Sequence, residues 1–102
     1  MVVEIIRYNV PAGQEEEFLN AYQEASQYLD RSQHCLSYEV IKGMEEPNRY
    51  IVRIEWDSLD GHMKGFRTGS DFQPFFAHVR PFFNAIEEMK HYTVTKINSA
   101  GK

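Results

Sequence analysis

The apolar and polar positions along the chain follow two periods, and these periods predict which segments are strands and which are helices. Val2 to Val10 are rich in β-branched and aromatic side chains and run into the turn sequence VPAG, so they predict a first strand. Between Gln14 and Leu29 apolar residues recur at helical spacing, and a run of glutamates near the start favours a helix there. A strand followed directly by a helix is therefore expected.

The middle of the chain predicts two further strands joined by a turn. The segment HCLSYEVIKG, residues 34–43, alternates apolar and polar side chains, and MEEPN supplies turn residues. The third predicted strand, Arg49 to Asp57, alternates apolar and polar side chains more strictly. Its charged residues all lie on one face, where Ile51 is the one apolar exception. The opposite face carries Tyr50, Val52, Ile54 and Trp56.

The last third of the chain predicts two helices and a closing strand. Asp57 or Ser58 can cap a short helix over residues 59–67, and a longer helix is expected over residues 71–89. The segment HYTVTKI, residues 91–97, predicts the fourth strand. The order β-α-β-β-α-β is typical of the α+β ferredoxin-like arrangement, a four-stranded antiparallel sheet with helices on one face.

Six of the chain's seven phenylalanines lie between Gly65 and Phe83, and five of these fall on the longer predicted helix, which is therefore unusually aromatic. Its apolar stripe suits packing on the sheet, although leucine or isoleucine would fill a plain core equally well. Pro81 lies inside the pattern and should kink or break the helix. A kinked aromatic helix over a sheet can leave a gap lined by ring faces, which predicts a pocket for a flat aromatic molecule. The stripe contains Phe72, Phe75, Phe76, Val79, Phe82, Phe83, Ile86 and Met89.

The first strand is apolar on both faces. Val3 and Ile5 point one way, whereas Ile6, Tyr8 and Val10 point the other. In a sheet with helices on one side, the other face should be polar unless something covers it. A two-fold dimer is the commonest cover, so we expect a homodimer formed through the sheet faces.

Composition and charge narrow the class of function. A chain of 102 residues, 42% hydrophobic and 25% charged, predicts one globular domain over residues 1–98 and a flexible tail over 99–102. A net charge of -4 without a basic cluster argues against nucleic acid as a partner. No apolar run approaches the roughly 20 residues that span a bilayer, so no membrane is expected. A start unlike a secretory signal and a single cysteine, Cys35, favour the cytoplasm.

The segment RIEWDSLDGHMKGFRTGSDFQPFFAHVRPF resembles the antibiotic biosynthesis monooxygenase family, whose members are dimeric α+β barrels. The resemblance rests on Trp56 closing the third strand, Ser58 just after it, His62 on the next helix, and the segment from SDF to VRPF. It extends from about Val3 to Thr95 and implies two ferredoxin-like sheets that pair into a barrel. The family includes oxygenases of polycyclic phenols and quinols that use no metal or flavin, enzymes that degrade haem, and proteins with no known activity.

The haem-degrading branch fits this sequence poorly. Its pattern needs an Asn in the first strand, a Trp on the helix after the third strand, and an iron-ligating His on the next helix. The nearest counterparts here are Arg7, Phe66 and Phe76, with Asn9 close to the first position and His78 two residues from the last. A phenylalanine cannot ligate iron, and the four histidines show no metal-ligand spacing along the chain. We therefore expect neither haem nor a metal, and no cofactor.

The cofactor-free oxygenases fit better, and the resemblance implies their chemistry: a phenol loses a proton, and the anion gives an electron to dioxygen. This needs a dry aromatic slot, a proton acceptor and a donor to the phenolate. His62 is the candidate catalytic base, expected to be partly exposed with an ordinary pKa of roughly 6.5. The candidate substrate-binding residues are Trp56, Phe66, Phe72 and Phe76 for the slot, and Tyr50 or Tyr92 for the donor. The expected partners are a small aromatic molecule and dioxygen.

Each candidate also has a purely structural explanation. A lone histidine on a helix is more often a cap or a surface residue, and a tryptophan at a strand end is more often a packing anchor. The alternative function is thus a non-catalytic small-molecule binding or interaction module on the same fold, because a fold does not fix a function.

Overall fold

Four antiparallel strands form a sheet in the order β2-β3-β1-β4 in the computed structural model, which describes residues 1–99. The helices pack on one face of the sheet, so the expected ferredoxin-like α+β fold is confirmed. Among the described residues no helix is long and apolar enough to cross a bilayer. The elements are β1 (Val2–Asn9), α1 (Glu15–Arg31), β2 (Cys35–Lys42), β3 (Arg49–Trp56), a π-helix (Gly61–Phe66), α2 (Phe72–Val79), a 3-10 segment (Arg80–Ala85) and β4 (Ile86–Thr93).

The second long helix ends earlier than the apolar pattern predicts. α2 stops at Val79, and β4 covers Ile86–Thr93 rather than residues 91–97. Pro81 explains the difference, because its ring removes a backbone donor and cannot continue an α-helix. The predicted break at this proline is confirmed. The prediction that Met89 belongs to the helical stripe is wrong, and so is that for Ile86, since both lie on β4.

The centre of the core is the ring of Phe18 on α1. It is fully buried, and its centroid lies 4.8 to 5.3 Å from those of Tyr8, Tyr22, Tyr50 and Phe82. Part of the aromatic content of the chain is therefore ordinary core that joins α1 to the sheet. The buried face of α1 agrees with its predicted helical spacing and consists of Phe18, Tyr22, Ala25 and Leu29.

The face of the sheet opposite the helices mixes apolar and charged side chains. Strand alternation places Ile5 on this face of β1, and Ile51 on β3 pairs with Ile41 on β2. On the same face of β3, Nη2 of Arg53 donates to Oε1 of Glu55 at 2.7 Å. The apolar residues predicted for this face are present, with an ion pair among them. The predicted tail over 99–102 lies, apart from Ser99, outside the described residues.

We predict that Phe18→Ala lowers the free energy of unfolding by about 3–5 kcal/mol, because it leaves a cavity at the centre of the aromatic cluster. The adjacent Leu19 is 44% exposed, so Leu19→Ala is a matched control with an expected change of about 0.5 kcal/mol. Urea denaturation with unchanged slopes measures both values. Equal losses from the two substitutions would contradict the assignment of Phe18 to the centre of the core.

Candidate functional site

A cavity of about 100 Å³ lies between α2 and the sheet, over β1 and β4. All four residues predicted to form an aromatic slot line it, namely Trp56, Phe66, Phe72 and Phe76. Phe83 and Met89 also line the cavity but are exposed to solvent, so they mark its open side.

The aromatic rings form a continuous wall around this cavity. The centroids of Trp56 and Phe66 lie 5.1 Å apart, and Phe72 lies 5.9 Å beyond Phe66. Phe72 and Phe76 are stacked at 5.7 Å with an interplanar angle of 14°, and Phe83 follows at 6.1 Å. An apolar cavity of roughly 150 Å³ holds a benzene ring. This cavity is smaller than that, so an aromatic ligand has to extend toward its open side at the exposed Phe83 side chain.

The two tyrosines predicted as hydrogen-bond donors lie elsewhere. Tyr50 packs in the core against Phe18, and the exposed Tyr92 hydroxyl donates to Oε1 of Glu88 at 3.3 Å. Neither is among the residues that line the cavity. The position at which α2 crosses the sheet decides which tyrosine lies beneath the cavity. The local sequence pattern does not reveal that position.

Two other tyrosines line the cavity, Tyr8 on β1 and Tyr22 on α1. Their oxygens share a hydrogen bond of 2.6 Å. Burial raises the pKa of Tyr8 to about 12 and holds the pKa of Tyr22 well above its usual range. Both hydroxyls are thus neutral at physiological pH, and one of them is a donor.

A buried carboxyl group, that of Glu4, lies on the cavity wall and was not among the predicted site residues. Glu4 is 4% exposed, and its Oε1 accepts a hydrogen bond of 3.1 Å from Nε1 of Trp56. Burial raises the pKa of Glu4 to about 7, against the opposing effect of the Trp56 hydrogen bond. The signal for it was in the sequence: Glu4 occupies the same strand face as Ile6 and Tyr8, where the alternation calls for an apolar residue.

His62 lies beside Glu4 and is buried, so the expectation of partial exposure is wrong. It is 6% exposed, and its ring stacks on Trp56 at 4.4 Å with an angle of 13°. Its Nε2 lies 3.6 Å from Oε1 of Glu4, and its Nδ1 lies 2.7 Å from Nε2 of His91. Burial, with smaller contributions from the charges of His91 and Arg67, lowers the pKa of His62 to about 4. The imidazole is therefore neutral at pH 7 rather than half protonated near 6.5.

The π-helix that carries His62 is held in place at its start and along one side. Oγ of Ser58 accepts a hydrogen bond of 2.8 Å from the Gly61 amide, as expected for a capping residue. On the outer side the ring of His34 lies so close that a Cβ at Gly65 would collide with it. Nδ1 of His34 in turn lies 2.9 Å from Oδ2 of Asp57. Short π-helical segments recur at functional sites, and this one directs His62 into the cavity.

The histidines and the carboxylate together offer ligand atoms for a metal ion. One atom each from Glu4, His62 and His91 lie within 4.8 Å of one another. His62 and His91 are 29 residues apart in sequence, so a search for local ligand spacing could not bring them together. His78, by contrast, stacks on Tyr28 of α1 at 6.0 Å and is not among the residues that line the cavity. His78, the histidine nearest to the position that the haem-degrading pattern needs, therefore does not line this cavity.

The chain belongs to the antibiotic biosynthesis monooxygenase family, whose sequence model matches residues 1–78. The uncharacterized protein YczJ of Bacillus subtilis (strain 168) is 28% identical over 92 residues, which cover 90% of this chain and 97% of that protein. A solved structure assigned to the same family, from Bordetella bronchiseptica, has a TM-score of 0.76 at 25% identity and covers 92% of this chain and 96% of its own. SnoaB, a cofactor-independent oxygenase from Streptomyces nogalater, shares the fold with a TM-score of 0.71 at 16% identity, over 99% of this chain and 97% of its own.

The Tyr8–Tyr22 pair yields a double-mutant prediction. Tyr8→Phe or Tyr22→Phe alone should lower the free energy of unfolding by about 1–3 kcal/mol, because each leaves the other buried hydroxyl without its partner. The double variant should lose no more than either single one, since both polar groups are then gone. Urea denaturation of the four proteins measures the cycle. Additive losses would show that the two hydroxyls do not depend on each other.

Proposed function

We propose that the protein is a cofactor-independent monooxygenase that acts on a quinol or polycyclic phenol bound in the aromatic cavity. The observation that carries the proposal is the buried pair of His62 and Glu4 on the wall of that cavity, in a chain of this family. The stacked Phe72 and Phe76 rings offer flat faces to a flat ligand. His62 and Glu4 offer the hydroxyl group of that ligand a hydrogen-bond partner in an otherwise apolar cavity.

His62 is the proton acceptor in this proposal. We assign the tautomer in which Nδ1–H donates to Nε2 of His91, which leaves the Nε2 lone pair of His62 free to accept the phenolic proton. The imidazolium that forms lies 3.6 Å from Oε1 of Glu4, and an ionised Glu4 stabilises it electrostatically. Glu4 therefore compensates for the low basicity that burial imposes on His62. The Tyr8–Tyr22 pair supplies a neutral donor on the same cavity wall.

The redox step balances without any further reductant. The phenolate transfers one electron to dioxygen, and the resulting radical pair combines to form a carbon–oxygen bond. The His62 imidazolium returns its proton to the peroxide, and water then leaves with the hydrogen of the same ring carbon to give a quinone, so one phenol and one dioxygen yield one quinone and one water. The substrate supplies all the electrons. The aromatic wall contributes by excluding bulk water from the anion, which strengthens its interactions with the polar groups.

A non-catalytic binding module on the same fold is the second candidate. The observation that favours it is the pKa of about 4 for His62, because a base this weak is poorly matched to an ordinary phenol. The two candidates share the cavity and differ in whether bound ligand consumes dioxygen.

Oxygen uptake with a panel of hydroquinones and naphthols tests the catalytic proposal. The assay contains a chelator and no added metal, flavin or nicotinamide. His62→Gln should lower the rate by roughly 10²–10⁴-fold, the usual contribution of a positioned base. His78→Gln is the matched control, because His78 lies against Tyr28 outside the cavity, and it should retain the wild-type rate.

Thermal denaturation of both variants separates loss of activity from loss of fold. Wild-type turnover by a folded His62→Gln variant would rule out His62 as the proton acceptor. Saturable binding of a naphthol by the wild-type protein without oxygen uptake would favour the binding module.

We also propose that the chain forms a homodimer through the sheet face opposite the helices. The apolar residues Ile5, Ile41 and Ile51 on this face are what a partner sheet would cover. Two-fold pairing requires a self-complementary surface. Arg53 and Glu55 neutralise each other through their ion pair, so neither residue brings an unpaired charge to this surface.

Sedimentation velocity at micromolar concentration should show a dimer, and Ile41→Lys should weaken it at least tenfold by placing a charge in the interface (about 1.4 kcal/mol). Leu19→Lys is the matched control: both residues are 44% exposed, but Leu19 lies on α1. A wild-type monomer, or equal weakening by the two substitutions, would contradict the sheet-face dimer.

A further inference from the structure

We propose that Glu4, His62 and His91 bind one divalent transition-metal ion, of the class that zinc(II) and iron(II) represent, beside the aromatic cavity. Two imidazole nitrogens and one carboxylate oxygen lie within 4.8 Å of one another. Nδ1 of His62 and Nε2 of His91 already face each other at 2.7 Å, and Oε1 of Glu4 lies 3.6 Å from Nε2, the other ring nitrogen of His62. The inference concerns binding and stands apart from the proposed oxygenase reaction.

The three candidate ligands come from three elements that fix their positions. Glu4 on β1 and His91 on β4 are direct partners in the antiparallel register. Side chains of such a pair share a face of the sheet with Cβ atoms about 4.5–5.5 Å apart. His62 approaches them from the π-helix, whose start is capped by Ser58. The site is thus assembled by sheet pairing and one capped turn rather than by mobile loops.

The remaining adjustment is small. Bonds of about 2.0–2.2 Å to nitrogen and oxygen place neighbouring ligand atoms about 3.0–3.5 Å apart. The two imidazole nitrogens, at 2.7 Å, need to separate slightly to admit an ion in place of the hydrogen between them. The carboxylate oxygen lies within 4.8 Å of the nitrogens and has to approach them by up to about 1.3–1.8 Å to reach that separation. Rotation of the Glu4 side chain, or of the exposed His91 ring, supplies that movement.

Trp56 supports two of the ligands from outside the site. Its Nε1 donates to Oε1 of Glu4 at 3.1 Å, and its indole stacks on His62 at 4.4 Å. Such partners hold a carboxylate and an imidazole in the orientation that an ion needs. Arg67 has the opposite effect, because its positive charge acts on all three groups of the cluster. Removing that charge should therefore tighten the binding of a cation.

The donor set selects the kind of ion. Imidazole and carboxylate ligands suit zinc, iron and related ions, whereas magnesium and calcium prefer oxygen ligands. Three protein ligands leave at least one position open, and Glu4 and His62 both border the cavity. Coordination through Nδ1 of His62 leaves the proton of the neutral imidazole on Nε2, the atom assigned to accept the phenolic proton, so an ion at this site and the proposed base exclude each other.

Titration calorimetry of the chelator-stripped full chain with zinc(II) tests the site, with cobalt(II) absorption as a report on the ligand set. We expect one ion per chain, a rise in Tm with zinc(II), and no binding of magnesium. Loss of an outer partner typically costs about 10–100-fold in affinity, so loss of a ligand in Glu4→Gln or His91→Asn should cost at least tenfold. Arg67→Gln should increase the affinity.

His78→Asn is the matched control, because His78 stacks on Tyr28 of α1 and is not among the residues that line the cavity, and it should retain the wild-type affinity. His91→Asn is the more informative ligand variant, since His91 is exposed and its replacement leaves the core intact. Absence of zinc binding, or an affinity that His91→Asn leaves unchanged, would overturn the proposal. Equal losses from His78→Asn and His91→Asn would overturn it as well. None of these readouts depends on oxygenase activity.

Discussion

The burial of the Glu4 carboxyl group is the constraint on which the rest of the site depends. A charge without partners in this environment would be strongly destabilising, so the fold has to provide a donor or keep the group neutral. It does both, through the hydrogen bond from Trp56 and a pKa raised to about 7. The arrangement also fixes the register of β1, because a slip of one residue would turn Glu4 to the opposite face of the sheet. The pairing of β1 with β4, the Trp56 indole and His62 therefore all meet at one buried acid.

Burial has the same effect on four groups at the cavity: it disfavours their charged forms. It lowers the pKa of His62, and it raises the pKa values of Glu4, Tyr8 and Tyr22. His62 and the two tyrosines are consequently uncharged at physiological pH, whereas Arg67 brings a positive charge to the cavity wall. His91 differs because it is exposed, so it connects the buried pair to solvent through its 2.7 Å contact with His62. Protons and metal ions alike can reach the cluster from that side.

Local signals in the sequence were sufficient for most of the fold. Alternation identified β3, and helical spacing identified the buried face of α1. The cap of the short helix was narrowed to Asp57 or Ser58, of which Ser58 accepts the hydrogen bond from the Gly61 amide. The site was only partly predictable. Four aromatic residues and His62 could be chosen from their order along the chain, whereas the contact between His62 and His91 depends on tertiary structure. Glu4 was visible as an acid on an apolar strand face, but alternation alone cannot say what a buried carboxyl group contacts.

The early end of α2, which the apolar pattern did not predict, explains why a cavity exists. The segment after Pro81 is so short that the spacing of its apolar residues fits either a helix or a strand. Its glutamates are also what the polar face of a helix would carry. Because the proline stops α2, the chain returns to the sheet at Ile86 and places Met89 on β4, beneath the space that a longer helix would have filled. A continuous helix would have covered that edge with its own side chains. Pro81 therefore ends the helix despite the helical periodicity of the sequence, and it also leaves the aromatic cavity open beside β4, next to Glu4 and His91.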